Sequence, residues 1–581
     1  MEKSNNRLQE LDSAPLGKLL WKYSLPAVVG IVVMSIYNII DRIFIGQGVG
    51  PDAIAGLAIT FPVMNVSAAF GVLIGAGASA RTSILLGMQA KDKAEQVLGN
   101  SIVMTLVFGT IYIALFGMFM DPVLRLFGAS DTSLPYAHDF MLFILPGLIF
   151  NNITFSFNNV MRASGYPTKA MFTMFIGAGL NVILAPIFIF VLKLGIKGAA
   201  IATDISMGVS MLFVLAHFFN KHTEIHFKSG IYKLRKDILM PIFAIGAAPC
   251  IVNSAGCVIN AVINNTVYKY GGDTSVAAIG IFTAVTGLVI TFVVGVGMGM
   301  QPIVGYNYGA KRFDRLMRTF WMAAGVCTVV TTMGCLACQF FPEAISRLFT
   351  NDATLIAASS KTLRLATAMF WVAGFQMITT NFFQSVGEAG KSIFMSLTRQ
   401  VLFIIPFLLI LPHFWHIDGV WLAFPFADAC SITAAILLMA WEVKKMMMAF
   451  LVALMSVAAV CAQTTATQQC KKQTCAAQKC EKVDKECKNA VEKCDKAKQK
   501  CDKATQKCDK AKQKCDKAAQ KCDKAKQKCD KVKQKCDKAI QKCDKAAQKC
   551  KQECTGKGEC KDGKQECKNG KGECKQECQK K

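Results

Sequence analysis

From residue 19 to residue 441 the chain alternates long apolar runs with short polar connections, a rhythm that soluble core helices do not have. A bilayer core takes about 20 residues of helix to cross, so the pattern predicts twelve transmembrane helices. They fall at 19–45, 55–80, 98–120, 136–161, 169–193, 197–219, 238–266, 276–303, 319–341, 361–386, 392–412 and 419–441. Pro26 and Pro249, near the starts of the first and seventh runs, are expected to kink their helices.

The two sets of six runs match one another at a separation of about 222 residues. Gly75 and Gly77 pair with Gly297 and Gly299, Gly87 with Gly309, Asn159 with Asn381, Gly165 with Gly387 and Lys169 with Lys391. With a shift of one residue either way, Pro26 pairs with Pro249 and Gly198 with Gly419. Six spans is an even number, so both halves enter the membrane in the same sense, an arrangement that places a substrate cavity between two lobes. The expected architecture is an all-α polytopic membrane protein of two six-helix repeats carrying an exported Cys-rich heptad-repeat tail. Its parts are a cytoplasmic N-terminus (1–18), an N-terminal lobe (19–220), a cytoplasmic linker (221–237), a C-terminal lobe (238–445), a signal-like segment (446–462) and a tail (463–581).

Charge and cysteine then divide the chain. Residues 1–445 carry 30 Lys/Arg and 21 Asp/Glu, whereas 446–581 carry 36 and 18 and hold 19 of the 25 cysteines. The six in the first part, Cys250, Cys257, Cys327, Cys335, Cys338 and Cys430, sit in apolar runs, where a free Cys acts as a small hydrophobe. A cytoplasmic N-terminus puts roughly 22 basic residues inside and about 8 outside, as the positive-inside rule requires. Met1 to Lys18 is polar and the first run is too long for a signal, so the chain is expected to start inside. No metal cluster, nucleophile triad or nucleotide loop appears in the first part, which argues against an enzyme, a cofactor or a nucleic-acid partner.

One acid stands out. Asp41 lies within the first span in the run Tyr37-Asn38-Ile39-Ile40-Asp41, and a carboxylate there is costly enough to mark either an ion site or the cap of a buried polar network. The repeat sets Asp41 opposite the neutral Asn264, so any cation coupling belongs to the first lobe. Asp204 and Asp428, in the sixth and twelfth spans, are candidate pathway residues, though a helix-packing hydrogen bond is the favoured reading of each.

Leu25-Pro26, the run from Tyr37 to Gly46, Arg162-Ala-Ser-Gly-Tyr-Pro167, Gly179-Leu-Asn181, Gly198-Ala-Ala-Ile-Ala-Thr203 and Gln301-Pro-Ile-Val-Gly-Tyr-Asn-Tyr-Gly309 together resemble the multidrug and toxic compound extrusion (MATE) family over about 15–444. The DinF-like branch, with exporters of the MepA type, is the nearest in pattern. The resemblance implies an antiporter in the bacterial inner membrane, monomeric among its lipids, that expels organic cations or drugs in exchange for protons or sodium. It also implies a first-lobe coupling cluster of Asp41, Asn181, Thr203 and Tyr37. Where the family has a second acid after the fifth-helix Asn, this chain has Ala185. Sodium wants several oxygen ligands and a proton needs one acceptor, so that loss favours the proton. A flippase of the same superfamily is the alternative; it would line its cavity with basic residues, and the spans hold few.

The resemblance stops short of the tail. Met446–Val460 is a 15-residue apolar run after Lys444 and Lys445, followed by Cys461-Ala462-Gln463. It reads as a signal peptide cut after Ala462, or as a short thirteenth helix, and either one exports the tail. From Cys480 to Cys550 cysteine recurs every seven residues, about 10.5 Å apart along a helix. That spacing is too long for a disulfide within one helix, so disulfides between helices or chains, soft-metal capture and structureless repeat expansion stay open. Two reading frames joined near Val443, or a natural fusion, would each explain the junction.

Overall fold

The computed structural model describes residues 10–471, and at 51, 52, 55, 257, 258 and 445–471 it describes the backbone alone. Among the described residues every regular element is helical. The first lobe comprises α1 (Leu16–Gly48), α2 (Pro51–Gly87), α3 (Lys91–Met118), the short α4 (Met120–Leu126), α5 (Leu134–Ala163), α6 (Pro167–Pro186, prolonged by a π-helical stretch Ile187–Val191) and α7 (Gly195–Phe219). The second comprises α8 (Lys236–Gly309), α9 (Phe313–Phe340), the short α10 (Pro342–Arg347), α11 (Ala353–Ala366), α12 (Ala373–Ser385), α13 (Ala389–Leu397), a π-helical stretch Thr398–Ile404, α14 (Ile405–Ile410) and α15 (Pro412–Lys471). Ten helical stretches among the described residues are long and apolar enough to cross a membrane.

α8 and the tenth run depart from the simple run pattern, as does α15, which breaks at Trp415 and His416. α8 has 74 residues, about 110 Å of helix, several times a bilayer's hydrocarbon core. It breaks at Gly272, whose φ of 63° and ψ of −166° suit glycine, giving limbs that coincide with the seventh and eighth apolar runs. The tenth run, expected as one helix over 361–386, is instead α11 and α12 joined through a 3₁₀ turn at Phe370–Val372. Side chains of α9 satisfy carbonyls exposed by that interruption. Gln339 Nε2 donates to the Arg364 carbonyl at 2.7 Å, and Cys335 Sγ donates to the Thr367 carbonyl at 3.1 Å. Pro26 and Pro249 both lie inside continuous helix, and the backbone break in α8 is at Gly272, not at Pro249.

The lobes meet through glycine. A Cβ on Gly77 would strike the Ile242 carbonyl, one on Gly246 the Leu73 carbonyl, one on Gly87 the Tyr306 carbonyl and one on Gly309 the Ile84 carbonyl. Gly295 and Gly299 approach α1 in the same way, at Val28 Cα (2.8 Å) and Ser24 Cα (2.5 Å). All of these contacts gather toward the end where α1 and α8 begin and α2 ends. Toward the other end the lobes separate: α1 has no buried residue from Ile31 to Phe44, and a Cβ on Gly256, Gly280 or Gly287 would meet nothing. A buried apolar core joins Leu19 and Phe157 of the first lobe to Val296 and Phe382 of the second, while each lobe also has its own core.

Polar contacts fasten the same closed end. Asn100 Nδ2 donates to the Ile231 and Lys233 carbonyls, both at 3.1 Å, and its Oδ1 accepts from the Arg235 amide, so the inter-lobe linker lies down on α3. Buried Glu95 pairs with Lys228 at 2.6 Å. Ahead of α1, Arg312 pairs with Asp12 at 2.9 Å, Arg315 donates to the Ala14 carbonyl at 2.7 Å, and Leu11 is fully buried.

Gly309→Ala is expected to weaken this closed end, since overpacking a fitted contact costs about 1–3 kcal/mol. Distances between spin labels on α2 and α8 should broaden or lengthen; a distribution and a Tm identical to those of the parent would contradict the account.

Candidate functional site

Tyr37 and Asp41 lie one turn apart on α1, a spacing that puts both on one face. Facing them, Asn181 of α6 donates through Nδ2 to Thr203 Oγ1 of α7 at 2.9 Å, and Thr203 donates in turn to the Ala199 carbonyl at 2.9 Å. The Tyr37 side chain lies near Thr203 and Asp41. Asn181 and Thr203 are thus linked directly, and Asp41 stands beside Tyr37. Small residues make this approach feasible: Gly198, Ala199, Ala200 and Ala202 let α7 sit close to its neighbours.

Two acceptors in this cluster are buried without a hydrogen-bond partner among the described residues, Asp41 Oδ1 and Asn181 Oδ1. Leaving such atoms unmatched is expensive, so the cluster suits a proton or a small cation. Ala185, where the second acid of the resemblance would fall, is fully buried in the first-lobe apolar core, so the cluster has one carboxylate here.

Tyr37, Asn181 and Thr203 also form part of the wall of a cavity of ≈ 100 Å³. Its other polar groups are uncharged, among them Asn151, Asn158, Asn159, Ser206 and Ser210, and its apolar wall holds Met34, Met174, Met207, Met298 and Phe155. Met298 reaches in from the second limb of α8, so both lobes contribute. Behind the wall, Arg162 is 2% exposed and donates to Asn158 Oδ1 and Asn159 Oδ1, both at 2.9 Å. Sequence reasoning misses this Arg-Asn-Asn triad, although the i, i+3 and i+4 spacing of 158, 159 and 162 on one helix is the signal that would find it.

The remaining candidates separate cleanly. Asp204 Oδ2 accepts from the Gly147 amide at 3.2 Å, just after Pro146 on α5, where a proline disturbs the helical ladder. Asp428, 3% exposed, accepts from Arg399 Nε at 2.6 Å. Both acids contact a neighbouring helix, and Asp204 Oδ1 is left buried without a hydrogen-bond partner among the described residues. Asn264, the counterpart of Asp41, is exposed on α8.

Comparison with known proteins agrees with this arrangement. The MatE family model matches the chain twice, over residues 26–187 and 249–410, so the internal repeat is also a repeat of the family unit. The chain belongs to the MatE family. It is 26% identical over 437 residues to the multidrug export protein MepA of Staphylococcus aureus (strain NCTC 8325 / PS 47), covering 75% of this chain and 96% of that protein. Among solved structures, a MATE transporter in complex with MaL6 superposes with a TM-score of 0.70 at 25% identity, over 75% of this chain and 98% of the other. The outward-facing conformation of a multidrug resistance MATE family transporter of the MOP superfamily gives 0.71 at 24% identity, over 76% and 98%, a likeness of fold. The signal-like segment has backbone description only and the heptad tail lies outside the described residues, so the expectations for them have no structural counterpart.

Thr203→Val removes the hydroxyl that accepts from Asn181 and strands a buried amide. The expected loss is about 1–3 kcal/mol, seen as a lower Tm of the purified protein; a Tm equal to the parent's would show that the hydrogen bonds carry no weight.

Proposed function

We propose that the chain is a multidrug efflux transporter of twelve spans that exchanges organic cations for protons by alternating access. The observation that carries this reading is the orphaned oxygen of Asp41 beside Tyr37, Thr203 and Asn181, at the edge of a cavity lined by methionine, phenylalanine and neutral amides. Methionine and aromatic walls adapt to cargo of varied shape, and the MepA relatives are named as multidrug exporters. The twelve spans come from ten apolar stretches once α8 is counted as two limbs and the α11–α12 pair as one.

With the N-terminus in the cytoplasm of a bacterial inner membrane, the glycine-packed end faces inward and the cleft outward. Cargo then leaves from the state described here, and a proton taken up by Asp41 favours the return. A proton and a cationic cargo stabilise different states of one carboxylate, and that differential affinity drives exchange. With Ala185 in place of a second acid, the cluster carries a single carboxylate charge, which favours a proton over sodium. The transporter works as a monomer surrounded by lipid.

The test is efflux of a fluorescent cationic dye from cells or vesicles holding the full chain, with proton and sodium gradients imposed separately. Asp41→Asn is expected to cut proton-driven efflux by roughly 5- to 150-fold, the usual range of coupling between two sites. Proton-driven efflux that survives the substitution would remove Asp41 from the mechanism. Ala185→Asp restores a second carboxylate next to Asn181 and is expected to make efflux respond to sodium; a variant that folds and stays indifferent to sodium would defeat the argument from ligand count.

A further inference from the structure

The repeat relates the two lobes, and at one place it relates a hollow to an ion pair. Arg399 falls opposite Gly177 at the separation that joins Lys169 to Lys391, and Asp428 falls opposite Met207 at the separation that joins Gly198 to Gly419. Gly177 and Met207 both line the first-lobe cavity. In the second lobe the corresponding positions are filled by a guanidinium and a carboxylate, with Nε and Oδ1 2.6 Å apart. Their side chains are 16% and 2% exposed, and the flanking Phe424 and Ala427 belong to a buried apolar core.

Such a pair is costly. Two charges removed from water inside a span are tolerated when they neutralise one another, and apolar packing would often do as well or better. Arg399 sits in the π-helical stretch Thr398–Ile404, a distortion frequent at functional sites. Next to it, the side-chain carbonyl oxygen of Gln400 is buried without a hydrogen-bond partner among the described residues. Arg399 is the charged group acting on Asp428. The other acids at the two ends of α15 are engaged elsewhere, Asp418 with Lys361 at 2.6 Å and Glu442 with Lys391.

We propose that the second lobe contains its own cation site, with Asp428 as the carboxylate and the Arg399 guanidinium as a built-in occupant. The chain thus carries two carboxylate sites, one in each lobe, at positions that the repeat does not equate. The first-lobe site is open to a mobile cation. The second is closed by a tethered one, which keeps Asp428 from competing with Asp41 for protons or cargo. Nothing in this site requires the first-lobe coupling scheme to hold.

Removing the tether should uncover the site. The full chain is purified as the parent, Arg399→Ala, Arg399→Gln and the double variant Arg399→Ala/Asp428→Asn, and Tm is followed with methylguanidinium in the low millimolar range. Methylguanidinium is expected to raise the Tm of both single variants in a concentration-dependent way, as mass action requires of a ligand that binds the folded state. The parent and the double variant should not respond. In transport, dye efflux by Arg399→Ala should become sensitive to methylguanidinium while the parent stays insensitive. No shift in either single variant, or an equal shift in the double variant, would overturn the proposal, as would unaltered sensitivity of efflux. These outcomes are separate from the fate of Asp41: a methylguanidinium shift with efflux that ignores Asp41→Asn would leave this site standing and remove the antiport scheme.

Discussion

Backbone-to-backbone contact between α2 and α8 is the constraint on which the rest of the arrangement depends. Gly77, Gly87, Gly246 and Gly309 each meet a carbonyl of the opposite lobe, and a methyl group at any of them would hold the lobes apart. In a bilayer no hydrophobic force draws helices together, so close packing of small residues supplies the attraction. Dispersion of that kind is large when the fit is good and falls away within an ångström. The same property that closes one end of the molecule lets it open, because no covalent or strongly ionic link spans the α2–α8 seam among the described residues. The cleft at the opposite end is the geometric complement of that seam.

Within this frame the lobes spend charge differently. The first has a carboxylate on α1 whose oxygen lacks a partner, close to a neutral hollow. The second has a carboxylate on α15 answered at once by arginine, and a neutral asparagine where α1 has its acid. Asp204, the other acid within the first-lobe spans, is occupied with the backbone of α5 at Gly147. Of the three in-span acids that the sequence singles out, Asp428 is answered by Arg399, whereas Asp41 and Asp204 each keep one buried oxygen without a hydrogen-bond partner among the described residues, Asp41 beside the cavity-lining Tyr37 and Asp204 against α5.

Much of this is legible in sequence, and the limits have physical causes. Apolar run length locates the spans because the bilayer's thickness sets it, and the repeat is visible because glycines and prolines mark backbone positions that few other residues can fill. The association of Asn181 with Thr203 and Tyr37 comes from the family resemblance, and the hydrogen bond between Asn181 and Thr203 agrees with it. Other features depend on which side chain of a neighbouring helix happens to face a given position, and periodicity says nothing of that. The interruption between α11 and α12 needs Gln339 and Cys335 from α9. Arg399 and Asp428 are 29 residues apart on different helices, and a single run of hydropathy treats each as an isolated exception. Arg162 stands in the sequence as one member of a motif, whereas its work is to hold two cavity asparagines in place.

Beside that seam, the segment ahead of α1 ties one lobe to the other. Glu10 pairs with Lys22 on its own lobe at 2.6 Å, while Asp12 and Ala14 are held by Arg312 and Arg315 of the other. In mechanical terms it is a clasp over a joint, beside the linker that follows α7, fastened by charge, hydrogen bonds and the buried Leu11. Anything spliced in beside Leu11, such as a purification handle or a reporter, would act as a wedge in that joint. The position of a label on this chain is therefore a variable in its conformational balance as well as a matter of convenience.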